Sequence, residues 1–417
     1  MKKILAIALV ALIALSSAFA GGNSESAGGD GIYSGVELNM WSMWNAAEPQ
    51  GQILQKAADA FEEETGCRVN IEFRGRDIST IINTALQGEE AIDIFEEDYT
   101  RIGQQYAPYC YDLTEMAAAA GYENNSYALF NNMSKEWAGF LCSITEQPNM
   151  GGIFYDKAKF EAAGITETPT TWAEFLDVCQ KLVDAGFQPL ALDSTYADFN
   201  FGYHLDRYIG EATTRELSLN GGWSENPGVI AAANDIIDFV NSGYLASGAP
   251  DEYPASQNKI GFENVAMVVC ADYVTAEVNN NTGAGIDWGV FNYPTVPVEE
   301  GGNGSTASYA GTNSLAISSY CENPQAAFDF IMTLVTGEID QERADLVPQI
   351  PADPNNTCTS LDGAVETLSA SDSSLTWTMG LNANGDLRTM IKDVVIQLFE
   401  GRFATGEEFA AALDALY

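Results

Sequence analysis

The hydrophobic and polar positions after residue 35 alternate between strand-like and helix-like periods. Residues 36–41 and 68–73 have the apolar or alternating character of β-strands. Between them the apolar residues fall on one face of a helix: Ile53, Leu54, Ala57, Ala58 and Phe61. A second helix near 77–87 and a strand at 91–95 follow. This order predicts a parallel sheet covered by helices, with ligands beyond the carboxyl ends of its strands.

A second α/β region begins at the strand-like residues 151–156. Thr171 and Glu174 form a predicted capping box at the start of an amphipathic helix. Further elements are predicted over 189–194 (strand), 227–242 (helix), 264–272 (strand) and 288–297 (an extended, proline-punctuated stretch). The series is long enough to build a second sheet.

The last third of the chain lacks a strand series of its own. A strand at 313–318 and a helix at 323–337 need an existing sheet to pack on, and two helices near 386–400 and 406–416 close the chain. We therefore predict two α/β lobes that the chain enters more than once. The crossovers are expected near 143–151, 291–298 and 345–352. The predicted boundaries are 34–145 with 298–348 for the N-terminal lobe, and 146–297 with 349–417 for the C-terminal lobe.

Residues 1–20 have the pattern of a cleaved secretory signal peptide. Lys2 and Lys3 precede an apolar stretch, and an Ala-Phe-Ala site ends at Ala20. The apolar stretch is too short for a lasting membrane anchor, which is the alternative interpretation. Residues 21–33 form a predicted flexible leader. No cysteine precedes Cys67, so a lipid anchor on an N-terminal cysteine is not expected.

The chain is strongly acidic, with 59 Asp and Glu against 18 Lys and Arg and a formal net charge of −41. Such a surface repels phosphate backbones and anionic lipids, which argues against nucleic acid or membrane surfaces as partners. It also disfavours a strongly anionic ligand. Hydrophobic residues make up 46% of the chain, so it is not a disordered acidic protein.

The seven cysteines do not form a recognisable framework. Their odd number leaves at least one unpaired, and no C-x-x-C spacing occurs. Cys179 and Cys270 lie in apolar patterns, so most cysteines are expected to be small buried hydrophobes. A pair between Cys110 and Cys142 stays open at this point.

Enzyme motifs fit the chain poorly. The single histidine, His204, has no G-x-S-x-G serine to serve, and the sequence contains no H-E-x-x-H, Walker loop or G-x-G-x-x-G after a strand. We therefore predict a protein without catalytic activity, cofactor or metal. Carboxylates are so abundant that a glycoside hydrolase pair remains an alternative from another class.

Sugar-binding chemistry fits better, because sugars present apolar faces ringed by hydroxyl groups. Their sites combine aromatic platforms with carboxylates, amides and arginine. Several strand or loop ends have this mixture. The candidate ligand contacts are Trp44, Asn45, Glu48, Arg76, Glu97, Asp98, Tyr99, Tyr155, Asp193, Asp198, Asn200, His204, Tyr273, Tyr309, Gly311, Thr312 and Trp377.

Each candidate also has a structural interpretation. Trp41, inside the first strand, fits the core as well as a ligand, whereas Trp44 follows the strand among polar residues and fits the site better. Any one tyrosine in 193–208 is more often a packing residue. His204 is open between the two roles, and a surface salt bridge is the default for Arg76. Their convergence argues more strongly than any single residue.

Collinear segments of the chain resemble the extracellular solute-binding proteins of ATP-binding cassette sugar importers, the family that includes maltose-binding protein. The most specific segment is FYDKAKFEAAGI followed by PTTWAEF, within residues 154–175. Others are AFEEETG, FENVAMVVCADYV, WGVFNYPTVP and the terminal GRFATGEEFAAALDALY. The resemblance covers essentially the whole chain after residue 33.

The resemblance implies a two-lobed periplasmic-binding-protein fold, with each lobe a mainly parallel sheet flanked by helices and a multi-strand hinge between them. By position, it places ligand contacts at Trp44 and Asn45, at Glu97 to Tyr99, at Asp193 to Asn200, and at Tyr273. Relatives often have glycine and tryptophan where this chain reads CADY, at 270–273. A different sugar or a smaller platform is therefore expected.

The function expected from this resemblance is the substrate-binding component of a carbohydrate importer. It would bind a sugar or short oligosaccharide between its lobes and deliver it to a membrane permease, as a monomer in the periplasm. The alternatives are a secreted glycoside hydrolase, a binding protein for a non-sugar neutral solute, and a partner of a sensory receptor.

Overall fold

The computed structural model describes residues 31–347, 349–371 and 373–417. The predicted signal peptide and most of the predicted leader lie outside these residues. Tyr33, the last leader residue, is part of the folded structure. Its backbone N–H donates to the Thr65 carbonyl at 2.9 Å, and its hydroxyl donates to Asp329.

Strands and helices alternate along most of the described chain. The strands are β1 (Glu37–Ser42), β2 (Arg68–Phe73), β3 (Ile94–Asp98), β4 (Ile144–Asp156), β5 (Gln188–Ala191), β6 (Val265–Ala271), β7 (Trp288–Phe291), β8 (Ser308–Ile317) and β9 (Ser374–Leu375). The helices are α1 (Pro49–Thr65), α2 (Ile78–Gln87), α3 (Tyr99–Arg101), α4 (Thr114–Ala120), α5 (Ala128–Ala138), α6 (Lys157–Ala162), α7 (Trp172–Asp184), α8 (Ala197–Asn220), α9 (Pro227–Asn241), α10 (Ala255–Phe262), α11 (Tyr273–Thr282), α12 (Pro324–Val335), α13 (Gly337–Leu346), α14 (Ala364–Ala370), α15 (Arg388–Phe399) and α16 (Gly406–Asp414).

The strands form one mixed sheet in the order β2-β1-β3-β8-β4-β6-β5, with β7 also paired to β4 and β9 to β8. The predicted strand–helix–strand units give parallel pairs, β1 with β2 and β3, and β5 with β6. The antiparallel pairs all involve β4 or β8, which the parallel layout expected from the sequence did not include.

Strands β4 and β8 join the two halves of the sheet. Residues 144–150 of β4 pair with β8, and residues 151–156 pair with β6 and β7. The predicted strand at 151–156 is therefore only the second half of a 13-residue strand. Since the first half contains Pro148 and several polar residues, its sequence lacks a plain strand period.

Local sequence signals explain where several helices begin and end. Helix α1 has Pro49 in its first turn, and Gly66 ends it with a left-handed φ of 75°. The predicted capping box of α7 is present. The Thr171 hydroxyl accepts the Glu174 N–H at 3.3 Å, and the Glu174 carboxylate accepts the Thr171 N–H at 3.1 Å.

Four hydrophobic clusters fill the space between the sheet and the helices. One packs α1 and α12 on β1 and β8, and a smaller one lies around Trp41 and Phe95. A third surrounds α7, α8 and α9. The fourth contains Phe130 of α5 together with Phe154 and Val268, so it spans both predicted lobes. The exact lobe boundaries remain a prediction.

All seven cysteines are free thiols, and all but Cys358 are buried. The possible Cys110–Cys142 pair is therefore absent, and the cysteines fill apolar space as expected. Within the described ranges, no helix combines the length and apolar character needed to cross a membrane.

Candidate functional site

The carboxyl end of β1 carries a compact polar group that we call the Trp44 wall: Trp44, Asn45, Glu48 and Arg76. The Glu48 carboxylate accepts the backbone N–H of Asn45 at 2.6 Å and two Arg76 N–H groups at 3.1 Å each. These contacts, led by the Asn45 N–H, hold the pKa of Glu48 below its usual range. The Arg76 guanidinium lies 4.3 Å from the centroid of the Trp44 ring. Four of the predicted contacts thus lie together in space.

The two tryptophans of this segment differ in their partners rather than in exposure. Trp41 is 5% exposed and Trp44 is 6% exposed, so both indoles are buried. Trp41 packs in the core cluster with Phe95. Trp44 belongs to none of the four clusters, and its indole N–H has no partner among the described residues. Trp44 therefore keeps a free donor, which fits a binding role.

The end of β3 lies beside the end of β1, because the two strands pair in parallel. Glu97 is buried, and one of its oxygens accepts from Arg101 at 3.1 Å while the other has no partner in the described structure. The Asp98 carboxylate accepts the N–H groups of Thr100 and Arg101, which start the next turn. Glu97 thus offers an acceptor next to the Trp44 wall.

The middle of β8 forms a polar strip between β3 and β4. Asn313 lies opposite Asp98 on one side and Gln147 on the other. Gly311 lies opposite Asn149, and a Cβ at Gly311 would be 3.0 Å from the Asn149 Oδ1. The absence of a side chain at Gly311 therefore makes room for the Asn149 amide.

A second aromatic surface, the Trp377 cluster, lies on the other half of the sheet: Trp377, Phe199, Tyr309, Tyr196 and Tyr273. The Trp377 ring stacks on Phe199 at 4.3 Å and meets Tyr309 edge-on at 5.2 Å. Tyr196 lies 6.1 Å from Trp377 and hydrogen bonds to Tyr273. The predicted residues Trp377, Tyr309 and Tyr273 thus share one surface.

A cavity of about 480 Å³ lies next to Tyr273. It is lined by Asp272, Trp288 and Gln349 among others. The indole N–H of Trp288 and the Nε2 of Gln349 are buried and have no partner in the described part of the chain. Burial raises the pKa of Asp272 to about 7. The cavity therefore combines unused donors with a titrating carboxyl group.

Four predicted contacts already bond to other groups of the protein. The Tyr99 hydroxyl donates to the Ala310 carbonyl at 3.0 Å, and Asp193 accepts the N–H groups of Ser256 and Gln257 at the start of α10. The Asn200 amide donates to the Tyr196 carbonyl at 2.8 Å. His204 is fully buried, 3.0 Å from Asp235 and packed on Trp172. Most of their polar atoms are already bonded inside the protein, but the buried Nδ1 of His204 has no partner among the described residues.

Three further predicted contacts lie away from the shared surfaces or are already bonded. Tyr155 packs on Phe160 at 4.1 Å and lines a separate cavity of about 340 Å³ at the far end of β4. Asp198 forms a 3.3 Å ion pair with Lys392. Thr312 is buried, and its hydroxyl donates to the Asn313 carbonyl. The candidate site does not include these three residues.

Sequence reasoning missed several lining residues. Trp288 opens an apolar strand and Gln349 lies in a predicted crossover, so neither belonged to an aromatic–polar island. Asn149 precedes the glycines of β4, and its place opposite Gly311 depends on the register of two distant strands. The one signal in the sequence was a polar residue, Asn149, two positions before the glycine pair of β4.

Comparison with known proteins identifies similar chains. The sequence model described as bacterial extracellular solute-binding protein matches residues 45–338. A multiple sugar-binding protein of Streptococcus mutans is 24% identical over 322 residues, which cover 73% of this chain and 72% of the relative.

Solved structures share the fold. A bacterial solute receptor, AcbH, described as having an exclusive preference for β-D-galactopyranose, superposes with a TM-score of 0.70 at 15% identity and covers 92% of this chain and 98% of its own. The apo form of RafE from Streptococcus pneumoniae superposes with a TM-score of 0.64 at 17% identity, covering 93% and 98%. The predicted two-lobed α/β fold is confirmed.

Proposed function

The chain belongs to the family of bacterial extracellular solute-binding proteins, and from this premise we propose that it binds a neutral sugar or short oligosaccharide. The bound sugar would lie between the Trp44 wall and the cavity beside Tyr273. Delivery to the membrane permease of an ATP-binding cassette importer follows from the family. We further propose that the protein acts as a monomer without catalytic activity.

The observation that carries this proposal is the cavity beside Tyr273. It places an aromatic ring, a carboxyl group and two buried donors without partners around one space of about 480 Å³. Ligand cavities in proteins span roughly 300–1,000 Å³. Buried donors that are left unpaired are disfavoured unless a ligand or water completes them, so hydroxyl oxygens would fit this lining.

Each group of the proposed site has a chemical role. Trp377 and Tyr273 offer aromatic surface to the apolar face of a sugar ring. Trp288 and Gln349 would donate to hydroxyl oxygens, while Asp272 and Glu97 would accept from hydroxyl groups. Arg76 is held by Glu48 and would donate from the opposite wall.

The proposed location is the periplasm, reached through cleavage of the N-terminal signal peptide. The supporting observations are the pattern of residues 1–20 and the family assignment. The formal net charge of −41 fits a partner that is an uncharged solute better than an anion.

Thermal unfolding in the presence of mono- and oligosaccharides tests the proposal. A sugar at about 100 times its Kd should stabilise the protein by roughly 2.7 kcal/mol. The same sugar should be recovered intact. Release of reducing ends would favour a hydrolase instead, and a panel without any stabilising sugar would contradict the carbohydrate assignment.

Replacing Trp44 by Phe separates binding from folding. Trp44→Phe removes an indole N–H that has no protein partner and shrinks a buried ring, so the free protein should lose about 1 kcal/mol of stability, while sugar affinity falls about tenfold. The matched control is Trp41→Phe, which alters a core residue and should lower stability with unchanged affinity. Calorimetric titration and thermal melts measure both quantities. An unchanged sugar affinity in Trp44→Phe would show that Trp44 is a core residue and not a ligand contact.

A further inference from the structure

A buried carboxyl pair lies behind the Trp44 wall, where β3 and β4 flank β8. Glu96 is fully buried and Glu146 is 2% exposed. Glu96 lies opposite Leu315 of β8, and Thr145 lies opposite Ser314 of the same strand. The register shifts between Thr145 and Gln147, which makes Glu146 the extra residue of a bulge. The two carboxyl groups are neighbours, and each affects the pKa of the other.

The charges around this pair do not balance if both carboxyl groups are ionised. Arg343 of α13 lies 3.4 Å from Glu146 and also pairs with Asp340. Asp340 is itself buried and accepts the backbone N–H groups of Ala352 and Asp353 at 2.9 and 3.0 Å. One cation therefore serves two carboxylates, and no ion pair joins Glu96 to a cation in the described ranges.

A proton between the two carboxyl groups resolves this imbalance. Glu96 Oε1 and Glu146 Oε2 are buried and have no hydrogen-bond partner among the described residues. Two unprotonated carboxylates cannot satisfy each other, whereas one protonated carboxyl donates to the other. Burial first, and then the charge of Glu146, raise the pKa of Glu96 well above its usual range.

The carboxyl pair is connected to the Trp44 wall through the backbone N–H and carbonyl groups of Met43. The second oxygen of Glu96 accepts the Met43 N–H at 2.8 Å. The Met43 carbonyl accepts from Arg76 at 2.6 Å, and Arg76 in turn covers Trp44 and pairs with Glu48. Met43 thus links the Glu96 side chain to Arg76 and, through Arg76, to Trp44.

We propose that Glu96 is a positioning residue of the ligand site. It shares a proton with Glu146 and holds Arg76 and Trp44 in their binding geometry through Met43. The effect on ligand affinity rests on the proposed function, whereas the shared proton rests on the geometry of the pair alone.

The pH dependence has a defined sign. The charged and titratable groups around Glu96 are Glu146 of β4 and, beyond it, Arg343 and Asp340 of α13. The unfolded chain loses the Glu96 proton above about pH 4.3, while the folded protein retains it. The contribution to stability is thus fully present below that pH and is lost as pH rises through the raised pKa of the folded state.

Two substitutions at Glu96 and one surface control test the inference. Glu96→Gln supplies a neutral donor and acceptor in the same shape, and Glu96→Met fills the space without hydrogen bonds. Glu63→Gln makes the same substitution on the exposed face of α1. The unfolding free energy of the free protein is measured from about pH 5 to about pH 9, and sugar affinity at about pH 7.

The expected result is a flatter pH profile for Glu96→Gln than for the wild type, with Glu63→Gln parallel to the wild type. Glu96→Gln should keep its affinity within about threefold, and Glu96→Met should lose about tenfold or more. A Glu96→Gln profile parallel to the wild type would overturn the shared proton, and unchanged affinity in Glu96→Met would overturn the positioning role.

If Glu96→Met does not fold, the pH profile of Glu96→Gln still tests the shared proton. If the wild type binds no sugar, the proposed function fails while the profile of the free protein still tests the pair.

Discussion

Single polar side chains in this protein differ mainly in whether their hydrogen-bonding atoms are already used. Asn200 and Asp193 have their polar atoms bonded to backbone groups, so they stabilise the fold. Trp44 and Trp288 bury indole N–H groups without partners in the described structure, and Glu97 keeps one free oxygen. Residue type and position suggested Asn200, Asp193, Trp44 and Glu97 alike and missed Trp288, but only the free atoms are available to a ligand.

Asp272 provides a pH test at the scale of one residue. Its pKa is raised to about 7 by burial, so the folded protein holds a proton that the unfolded chain releases above about pH 4. Its contribution to stability is present below that pH and is lost as pH rises through about 7. Asp272→Asn cannot ionise, so thermal melts between about pH 5 and about pH 8 should show a loss smaller by roughly 1–2 kcal/mol. An equally steep decline in the variant would contradict this environment for Asp272.

At the scale of elements, β4 and β8 position the proposed site, because each of them pairs with strands in both halves of the sheet. Gly151 marks the point on β4 where close packing leaves no room for a side chain. A Cβ there would lie 2.8 Å from Phe199 Cζ and 3.0 Å from Tyr309 Cδ1. Both rings belong to the Trp377 cluster.

Gly151→Ala should therefore displace these rings and destabilise the protein by about 1–3 kcal/mol. Sugar affinity should fall as well, because Tyr309 faces Trp377. Gly385→Ala is the matched control, since a Cβ at Gly385 meets no atom within 4 Å. Denaturant unfolding should place the control within about 0.5 kcal/mol of the wild type. A Gly151→Ala protein as stable as the control would show that β4 has more space than the packing indicates.

At the scale of the whole molecule, the dominant feature is the formal net charge of −41. Like charges spread over one surface repel each other and oppose the compact state. Salt screens this repulsion, with a Debye length that falls from about 30 Å at 0.01 M to about 3 Å at 1 M.

The melting temperature should therefore rise by a few degrees, roughly 3 °C, when salt increases from about 0.01 M to about 0.5 M. Sodium chloride and choline chloride should act alike, because screening does not depend on the identity of the cation. A fall with both salts would show that local ion pairs such as Arg343 with Glu146 outweigh the overall repulsion. A response to sodium alone would point to specific ion binding.

The sequence by itself determined the elements whose signals are local. The capping box of α7, the glycine end of α1 and the strand–helix–strand order of residues 37–98 follow from hydrophobic period and terminal residues. The Trp44 wall was also predictable, because all its members lie within two neighbouring loops. Helix α8 was missed since aromatic and acidic residues obscure its period, and Gly210 interrupts it.

Tertiary structure decided the features that depend on the register between distant strands and on the exposure of side chains to solvent. The pairing of Glu96 with Glu146, the place of Asn149 against Gly311, and the unpaired donors of Trp288 and Gln349 arise from strands and loops far apart in the chain. His204 and Asn200 became structural residues for the same reason. A sequence pattern fixes which face a side chain takes on its own element, whereas burial and bonding partners depend on what packs against that face.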